Sequence, residues 1–159
     1  MKTAVTGASG FVGRHVIAQL LRQQTEVVAI TRNPKRLKHF SDEIQIVEMD
    51  ISRPEKSAFD QLGCPETVIH LAWDGLPNYR SLHHFESELP CQYRFLKQLI
   101  EDGLKSLFVT GTCFEYGMQS GMLSEADCAF PDNPYGFAKK SLYRSLTFLK
   151  SELPFELTW

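Results

Sequence analysis

Several features are missing from this sequence, and their absence excludes whole classes of protein. No apolar stretch approaches the roughly 20 residues that a helix needs to cross a bilayer. The chain passes from its first residues directly into an apolar run, so no signal peptide is expected. The formal net charge of −2 gives no electrostatic reason to expect nucleic acid or a membrane as a partner.

Cysteine is scarce, and its spacing does not suggest a site. The four cysteines share no C-x-x-C spacing: Cys64, Cys91, Cys113 and Cys128. We therefore expect the reduced thiols of a cytoplasmic protein, and neither a zinc site nor a disulfide framework.

Short apolar runs alternate with helical patterns along all 159 residues. The apolar runs predict strands at residues 2–6, 26–31, 44–49, 67–71, 105–110 and 155–159. The helical patterns cover residues 11–23, 81–102 and 134–151, and a short helix is expected after the predicted N-cap Asn33. The second of these helices is expected to kink or break near Pro90 and to end at Gly103. The long loop 111–133 is of a length that is usually functional. The alternation predicts one α/β domain over 1–159, a doubly wound parallel sheet of order 3-2-1-4-5-6, which is a Rossmann fold.

A glycine-rich turn joins the first predicted strand to the first helix. Its glycines, Gly7, Gly10 and Gly13, are spaced G-x-x-G-x-x-G. Gly7 suits a sharp turn, Gly10 suits a close approach of the backbone to a pyrophosphate, and Gly13 suits close packing of the helix. The helix N-terminus offers free N–H groups to the phosphates, so Ser9, Phe11 and Val12 are also predicted to contact the dinucleotide. A tight turn without a ligand is the alternative.

The end of the second strand bears on the choice of dinucleotide. NAD sites usually carry a carboxylate there for the ribose 2′-hydroxyl, but this strand ends in Thr31, Arg32 and Asn33. Arg32 can pair with a 2′-phosphate, and Lys35 and Arg36 add positive charge. NADP is therefore favoured, with NAD possible; the alternative is that these cations form a solvated helix face.

The ends of the third and fourth strands supply further candidates. Asp50 and Ile51 are placed to touch the adenine edge, or Asp50 caps a local turn. Leu71, Ala72 and Trp73 follow the fourth strand, where the pyrophosphate and nicotinamide ribose are expected. The preceding His70 is interpreted as a packed strand-end residue and not as a catalyst.

Tyr135 and Lys139 lie four residues apart at the start of the last predicted helix, so they share one face. A nearby ammonium favours a phenolate, and we expect Lys139 to lower the pKa of Tyr135. Tyr135 could then exchange a proton with a substrate hydroxyl while hydride moves to or from the cofactor. Lys139 could also bind the nicotinamide ribose. Taken alone, the pair is also compatible with two helix-surface residues.

Four segments together resemble a known family: T-G-A-S-G-F-V-G at 6–13, V-I-H-L-A at 68–72, T-C-F-E-Y-G at 112–117 and N-P-Y-G-F-A-K at 133–139. The chain resembles the N-terminal part of an extended short-chain dehydrogenase/reductase of the NAD-dependent epimerase/dehydratase type. The resemblance implies that Thr112 holds the substrate oxygen towards Tyr135, although a strand-end Thr could simply bond local backbone. It implies a nucleotide-activated sugar as substrate, and a homodimer is expected for a full-length protein.

The chain departs from the family pattern before the fifth strand. Members usually carry an Asn there that helps to position the Lys, and the corresponding position falls near Glu88. The proton relay is therefore expected to differ.

Sequence features narrow the reaction further. The segments 73–79 and 111–117 are similar to those of bacterial deoxysugar-nucleotide reductases and epimerases, in which Trp73 and Tyr79 could stack on a sugar or simply pack. Dehydratases of the family usually carry Asp-Glu where Cys113 and Phe114 stand, so dehydration is disfavoured, and reductase and epimerase remain open.

The resemblance also sets an expectation for the end of the chain. Family members continue for a further lobe that selects the nucleotide sugar, whereas this sequence stops in its sixth predicted strand at Trp159. We expect residues 1–159 alone to be inactive. A non-catalytic dinucleotide-binding module is the second interpretation.

Overall fold

In the computed structural model, which describes residues 1–53 and 57–159, six parallel strands form one sheet of order β3-β2-β1-β4-β5-β6. The strands are β1 (Lys2–Thr6), β2 (Glu26–Thr31), β3 (Gln45–Glu48), β4 (Thr67–His70), β5 (Ser106–Val109) and β6 (Glu156–Thr158). Each neighbouring pair runs parallel. The predicted strand order and fold class are confirmed, and several strands are one or two residues shorter than predicted.

Helices cover both faces of the sheet. They are α1 (Phe11–Arg22), α2 (Ala58–Gln61), α3 (Leu89–Glu101) and α4 (Pro134–Glu152), with 3₁₀ turns at Pro34–Phe40 and Cys113–Tyr116. Sequence reasoning did not predict α2. The expected helix after Asn33 is a 3₁₀ helix, and the Asn33 side chain makes no capping hydrogen bond. The chain does not break near Pro90: a π-helix (His84–Glu88) passes directly into α3, so the predicted irregularity is a change of helix type.

The core lies in two layers, one on each side of the sheet. Fully buried side chains of α3 and α4, such as Phe95, Leu99 and Leu142, fill the larger layer. Ile17 of α1 and Leu37 of the first 3₁₀ helix fill the smaller one. Both faces of β1 and β2 are covered, so four of the five residues of β1 and five of the six of β2 are buried. The carboxyl ends of the strands meet at one edge, where such folds bind ligands.

No described helix is long and apolar enough to cross a membrane. Within the same ranges, no cluster of His, Cys, Asp or Glu side chains could hold a metal ion. All four cysteines are free thiols, three of them exposed.

Candidate active site

The glycine-rich turn is built as the spacing predicted. Gly7 adopts φ +65°, and a Cβ there would lie 2.9 Å from the Ala72 nitrogen, so the turn touches the end of β4. A Cβ on Gly13 would lie 2.3 Å from the Gly7 carbonyl oxygen, so that glycine lets α1 close on the turn. Gly10 has space around it, since a Cβ would meet only the Gly7 oxygen at 3.1 Å. The turn therefore leaves room for a ligand at Gly10 while α1 directs its free N–H groups outward.

A buried polar chain fixes the end of β4 against this turn. The Thr6 hydroxyl accepts the backbone N–H groups of Leu71 (3.1 Å) and Ala72 (3.2 Å). It therefore donates its own proton to His70 Nδ1, 2.9 Å away. His70 then carries its proton on Nε2, a buried atom that has no hydrogen-bond partner among the described residues. Burial, assisted by the Lys139 charge, lowers the pKa of His70 to about 3, so the ring is neutral. The interpretation of His70 as a packed residue is confirmed.

A cavity of about 690 Å³ opens at the carboxyl ends of β1, β2, β3 and β4. Its lining includes these predicted cofactor residues: Gly7, Ser9, Gly10, Arg32, Asp50, Ile51, Leu71, Ala72 and Trp73. Phe11 and Val12 are exposed beside it, and Gly13 is buried beneath the turn. The volume and the glycine cradle fit an extended dinucleotide.

Two charged residues of the cavity, Arg32 and Asp50, already have protein partners. Arg32 is exposed and forms an ion pair with Asp74 Oδ1 at 3.5 Å, across the cavity mouth. Asp50 accepts the hydroxyl (2.8 Å) and the backbone N–H (3.0 Å) of Ser52. These hydrogen bonds lower the pKa of Asp50, with a smaller contribution from Arg32. The local-turn interpretation of Asp50 is therefore confirmed, although the residue also faces the cavity.

A short turn after β5 carries Thr112. Its hydroxyl accepts the Phe114 N–H at 3.4 Å, and the Glu115 carboxylate accepts the Thr112 N–H at 2.9 Å, which makes a reciprocal capping box. The Thr112 hydroxyl also favours the phenolate of Tyr135. The interpretation of Thr112 as a residue that bonds local backbone is confirmed, and its role towards a substrate stays a prediction.

Tyr135 begins α4 inside an aromatic cluster. Its ring centroid lies 5.2 Å from His84, 5.6 Å from Tyr79 and 5.8 Å from Trp73. Burial raises the pKa of Tyr135, while the Thr112 hydrogen bond opposes the rise. The expectation that Lys139 lowers the pKa of Tyr135 is thus wrong here, because burial among rings outweighs the favourable groups.

Lys139 is only 2% exposed, one turn after Tyr135 on α4. Its ammonium lies over the rings of Trp73 (4.7 Å) and Trp159 (5.0 Å). Burial lowers the pKa of Lys139 to about 8, although the carboxylates of Glu115 and Glu88 act in the opposite direction. Tyr135 and Lys139 are therefore both buried and not on the helix surface. Neither lines the cavity, but both contact Trp73, which does.

Trp73 and Tyr79 are both packed against protein. The Trp73 indole N–H donates to His84 Nδ1 at 3.1 Å. Tyr79 stacks on Phe114 with a centroid distance of 4.8 Å, and its carbonyl oxygen accepts the Tyr135 N–H. Packing is thus the observed role of Trp73, whereas Tyr79 keeps 37% of its surface exposed beside the phenol.

Residues 3–152 match the NAD dependent epimerase/dehydratase family. This chain belongs to that family. A dTDP-6-deoxy-L-talose 4-dehydrogenase (NAD(+)) of Aggregatibacter actinomycetemcomitans is 30% identical over all of this chain and 59% of its own length. A dTDP-4-dehydro-6-deoxyglucose reductase of Escherichia coli is 27% identical over 94% of this chain and 51% of its length.

A solved structure of MoeE5 in complex with UDP-glucose and NAD has a TM-score of 0.81 and 29% identity. It covers 99% of this chain, which in turn covers 52% of that protein. The chain thus spans about half the length of these members of the epimerase/dehydratase family.

The candidate site contains residues that sequence reasoning did not assign. Glu88 takes the place where the family usually has Asn; its carboxylate accepts the Asp74 N–H at 3.0 Å and the Gln92 side-chain amide. Glu115 and Trp159 meet across 44 residues of sequence. Of these residues, only Glu88 could be noticed in the sequence, because it departs from the family pattern. The other contacts depend on tertiary packing.

Proposed function

We propose that this chain is the dinucleotide-binding part of an oxidoreductase or epimerase that acts on a nucleotide-activated deoxysugar. The observation that carries the proposal is the meeting of Thr112, Tyr135 and Lys139 beside the cavity that the glycine-rich turn lines. A nicotinamide dinucleotide bound there would supply hydride acceptance or donation.

In this proposal the chain's own groups manage the proton. Tyr135 gives a proton to, or takes it from, the sugar hydroxyl or carbonyl at the reacting carbon, and Thr112 orients that oxygen. Lys139, one turn later on the same helix and against the cavity residue Trp73, would bind the nicotinamide ribose. Because burial raises the pKa of Tyr135, the phenol is a donor at neutral pH, which suits reduction of a keto group.

We further propose that the dinucleotide is NADP. Arg32 and Arg36 both line the cavity next to β2, whose end carries no carboxylate for a ribose 2′-hydroxyl. NAD is named with the relatives above, so the preference would distinguish this chain from them. The pair between Arg32 and Asp74 would have to exchange for a phosphate contact.

The cofactor step can be tested on residues 1–159 directly. Gly10 has φ −76°, a conformation open to any residue, and a Cβ there would meet only the Gly7 carbonyl oxygen, at a tight 3.1 Å. Gly10→Val should therefore need only a small shift of that carbonyl while its side chain occupies the phosphate position. We expect reduced dinucleotide to bind the unaltered chain, detected by its fluorescence, and to bind Gly10→Val at least tenfold more weakly at an unchanged melting temperature, a loss of about 1.4 kcal/mol. Equal binding by both would contradict the proposed site.

The chemical step needs a chain in which residues 1–159 continue into the C-terminal half of a relative. Such a chimaera should oxidise reduced dinucleotide in the presence of a 4-keto-6-deoxyhexose nucleotide, or interconvert a UDP-hexose without net oxidation. A chimaera that binds dinucleotide and catalyses neither reaction would instead favour a non-catalytic binding module.

A further inference from the structure

Lys139 is held in an unusual way for a buried cation. The chain contains two tryptophans, and the structure brings both to this one ammonium, at 4.7 Å from Trp73 and 5.0 Å from Trp159. Among the residues that the structure describes, no carboxylate oxygen lies within 4.0 Å of the Lys139 ammonium, so that ammonium forms no ion pair there. The faces of two indoles therefore provide its close contacts.

Each indole is fixed by a hydrogen bond from its own N–H. Trp73 donates to His84 Nδ1, so His84 carries its proton on Nε2 and donates it to the Asn78 carbonyl oxygen at 2.9 Å. The buried His84 thus uses both ring nitrogens in one neutral form. Hydrogen bonds of this kind remove the rotational freedom of a ring that would otherwise only pack.

On the other side, Trp159 donates to both carboxylate oxygens of Glu115, at 3.1 and 3.2 Å. Glu115 is buried and is the same residue that closes the capping box on Thr112. Gly111 makes the approach possible, because a Cβ there would lie 2.6 Å from the Trp159 indole nitrogen. One carboxylate therefore orients both the indole and the turn that carries Thr112.

Other ionisable groups also surround the ammonium. Glu115 from the turn after β5 and Glu88 at the start of α3 favour its charged form. His70 of β4 is neutral, and Tyr135 one turn earlier on α4 is protonated. Since burial is the strongest influence and lowers the pKa of Lys139 to about 8, the charged form depends on every favourable contact at neutral pH.

We propose that Trp73 and Trp159 are positioning residues that hold the Lys139 ammonium, by cation–π stacking, on the face of α4 that carries Tyr135. An indole face attracts a cation more strongly than a phenyl face, and desolvation strengthens the attraction. Any effect on turnover rests on the proposed function, but the stacking itself does not.

The stacking can be measured without cofactor or substrate. The chain is labelled with 5-fluorotryptophan, and the fluorine NMR resonances of its two tryptophans, assigned with Trp73→Phe and Trp159→Phe, are followed across neutral and alkaline pH. We expect both resonances to move with one common midpoint near the Lys139 pKa of about 8. Lys139→Met should abolish that transition. Lys150→Met, on the same helix but paired with Glu156 at 3.1 Å, should keep it.

A local change at one indole is separated by the same data. A change at the hydrogen bond between Trp73 and His84 would move the Trp73 resonance alone, because only that indole bonds His84. Resonances that fail to move, or that still move together in Lys139→Met, would overturn the proposal.

The cation–π character is tested by changing the electron density of the indole rings while their shape is kept. Labelling with 5,7-difluorotryptophan withdraws electron density from the ring face while it keeps the N–H donors to His84 and Glu115. The common midpoint should fall by about half a pH unit relative to the monofluoro protein, equivalent to about 0.7 kcal/mol. An unchanged midpoint at equal melting temperature would show that the indoles are only filling space.

A final comparison links the stacking to the proposed reaction. In the active chimaera, Trp159→Phe should move the alkaline limb of the pH profile of kcat in the same direction as the fluorine midpoint. Loss of rate without that movement would contradict a positioning role. If the chimaera were inactive, the fluorine titration would still decide the stacking, so the two proposals fail separately.

Discussion

At the scale of single residues, Tyr135 has two opposing influences on its phenol. Burial among aromatic rings favours the neutral form, and the Thr112 hydroxyl favours the phenolate. A phenol of raised pKa is a weak base but remains a proton donor up to high pH. The residue is therefore prepared to donate a proton, and any easier deprotonation requires added positive charge.

The Tyr135 hydroxyl can be removed with little change in packing. Tyr135→Phe should lower the turnover of an active chimaera by about two to four orders of magnitude, the scale of a lost general acid. Dinucleotide affinity should change little, because the ring contacts with Trp73 and His84 remain. Steady-state kinetics and a binding titration measure the two effects; near-normal turnover would place the chemistry elsewhere.

Arg32 offers a test of the choice between the two dinucleotides. Arg32→Ala should weaken NADP binding by about 1–3 kcal/mol, the size of a lost charge-assisted hydrogen bond, and leave NAD binding nearly unchanged. Asp74→Asn is the matched control: it releases Arg32 from its ion pair and should strengthen NADP binding. Equal weakening of both dinucleotides in Arg32→Ala would contradict the assignment.

The buried Lys139 lowers the free energy of unfolding at neutral pH, and its proposed role in the site explains its presence. Its pKa of about 8 in the folded chain lies below the ordinary value of 10.5, so folding opposes the charged form. The cost is complete below pH 8 and disappears as the pH rises to 10.5. Lys139→Met should therefore raise the free energy of unfolding at pH 7 by on the order of 1–3 kcal/mol, and by less at high pH. Denaturant unfolding at both pH values tests this; a destabilised variant would contradict it.

At the scale of secondary structure, the sequence was informative where signals are local. Strand runs and the glycine turn each depend on a few neighbouring residues, and both were predicted. Contacts that join distant elements were not predictable in this way. The bond between Trp159 and Glu115 spans 44 residues, and no pattern in either segment announces it.

The pKa expectation for Tyr135 failed for the same reason. The spacing of Tyr135 and Lys139 places them correctly on one face, yet the Lys139 ammonium lies against two indoles that come from other elements. Local spacing therefore predicted which residues meet, while burial decided their ionisation. Glu88 is the intermediate case, because its departure from the family pattern marked the position but not its contacts.

The contact between the ends of β1 and β4, where His70 is buried, predicts how stability depends on pH. His70 is fully buried and neutral, with a folded pKa of about 3 against an ordinary 6.5. Its contribution to stability is complete above pH 6.5 and is lost as the pH falls towards 3. The free energy of unfolding should fall by up to about 1.4 kcal/mol per pH unit in this window.

The matched variants are His70→Gln and His39→Gln, the second on an exposed histidine. Denaturant unfolding as a function of pH should show a shallower slope for His70→Gln and an unchanged one for His39→Gln. The same slope in all three proteins would mean that another group causes the acid sensitivity.

At the scale of the whole molecule, the chain contains a cofactor cavity but about half the length of its relatives. Several large apolar side chains near the end of the sheet and on α4 are exposed, including Phe108 (43%), Phe137 (50%) and Phe148 (66%). Such surfaces on a monomer promote association. The two hydrophobic layers nevertheless give the six-stranded sheet a core of its own.

These features predict how residues 1–159 behave alone. The cavity is open to water in residues 1–159, and relatives have further chain that could cover it, so hydride transfer would not be shielded. We expect the isolated chain to bind NADP weakly, to turn over no sugar nucleotide and to self-associate as its concentration rises. Fluorescence titration, a reduced-dinucleotide absorbance assay and sedimentation velocity measure the three properties. Joining the C-terminal half of a relative should tighten binding and restore turnover; robust catalysis by residues 1–159 alone would refute the need for that half.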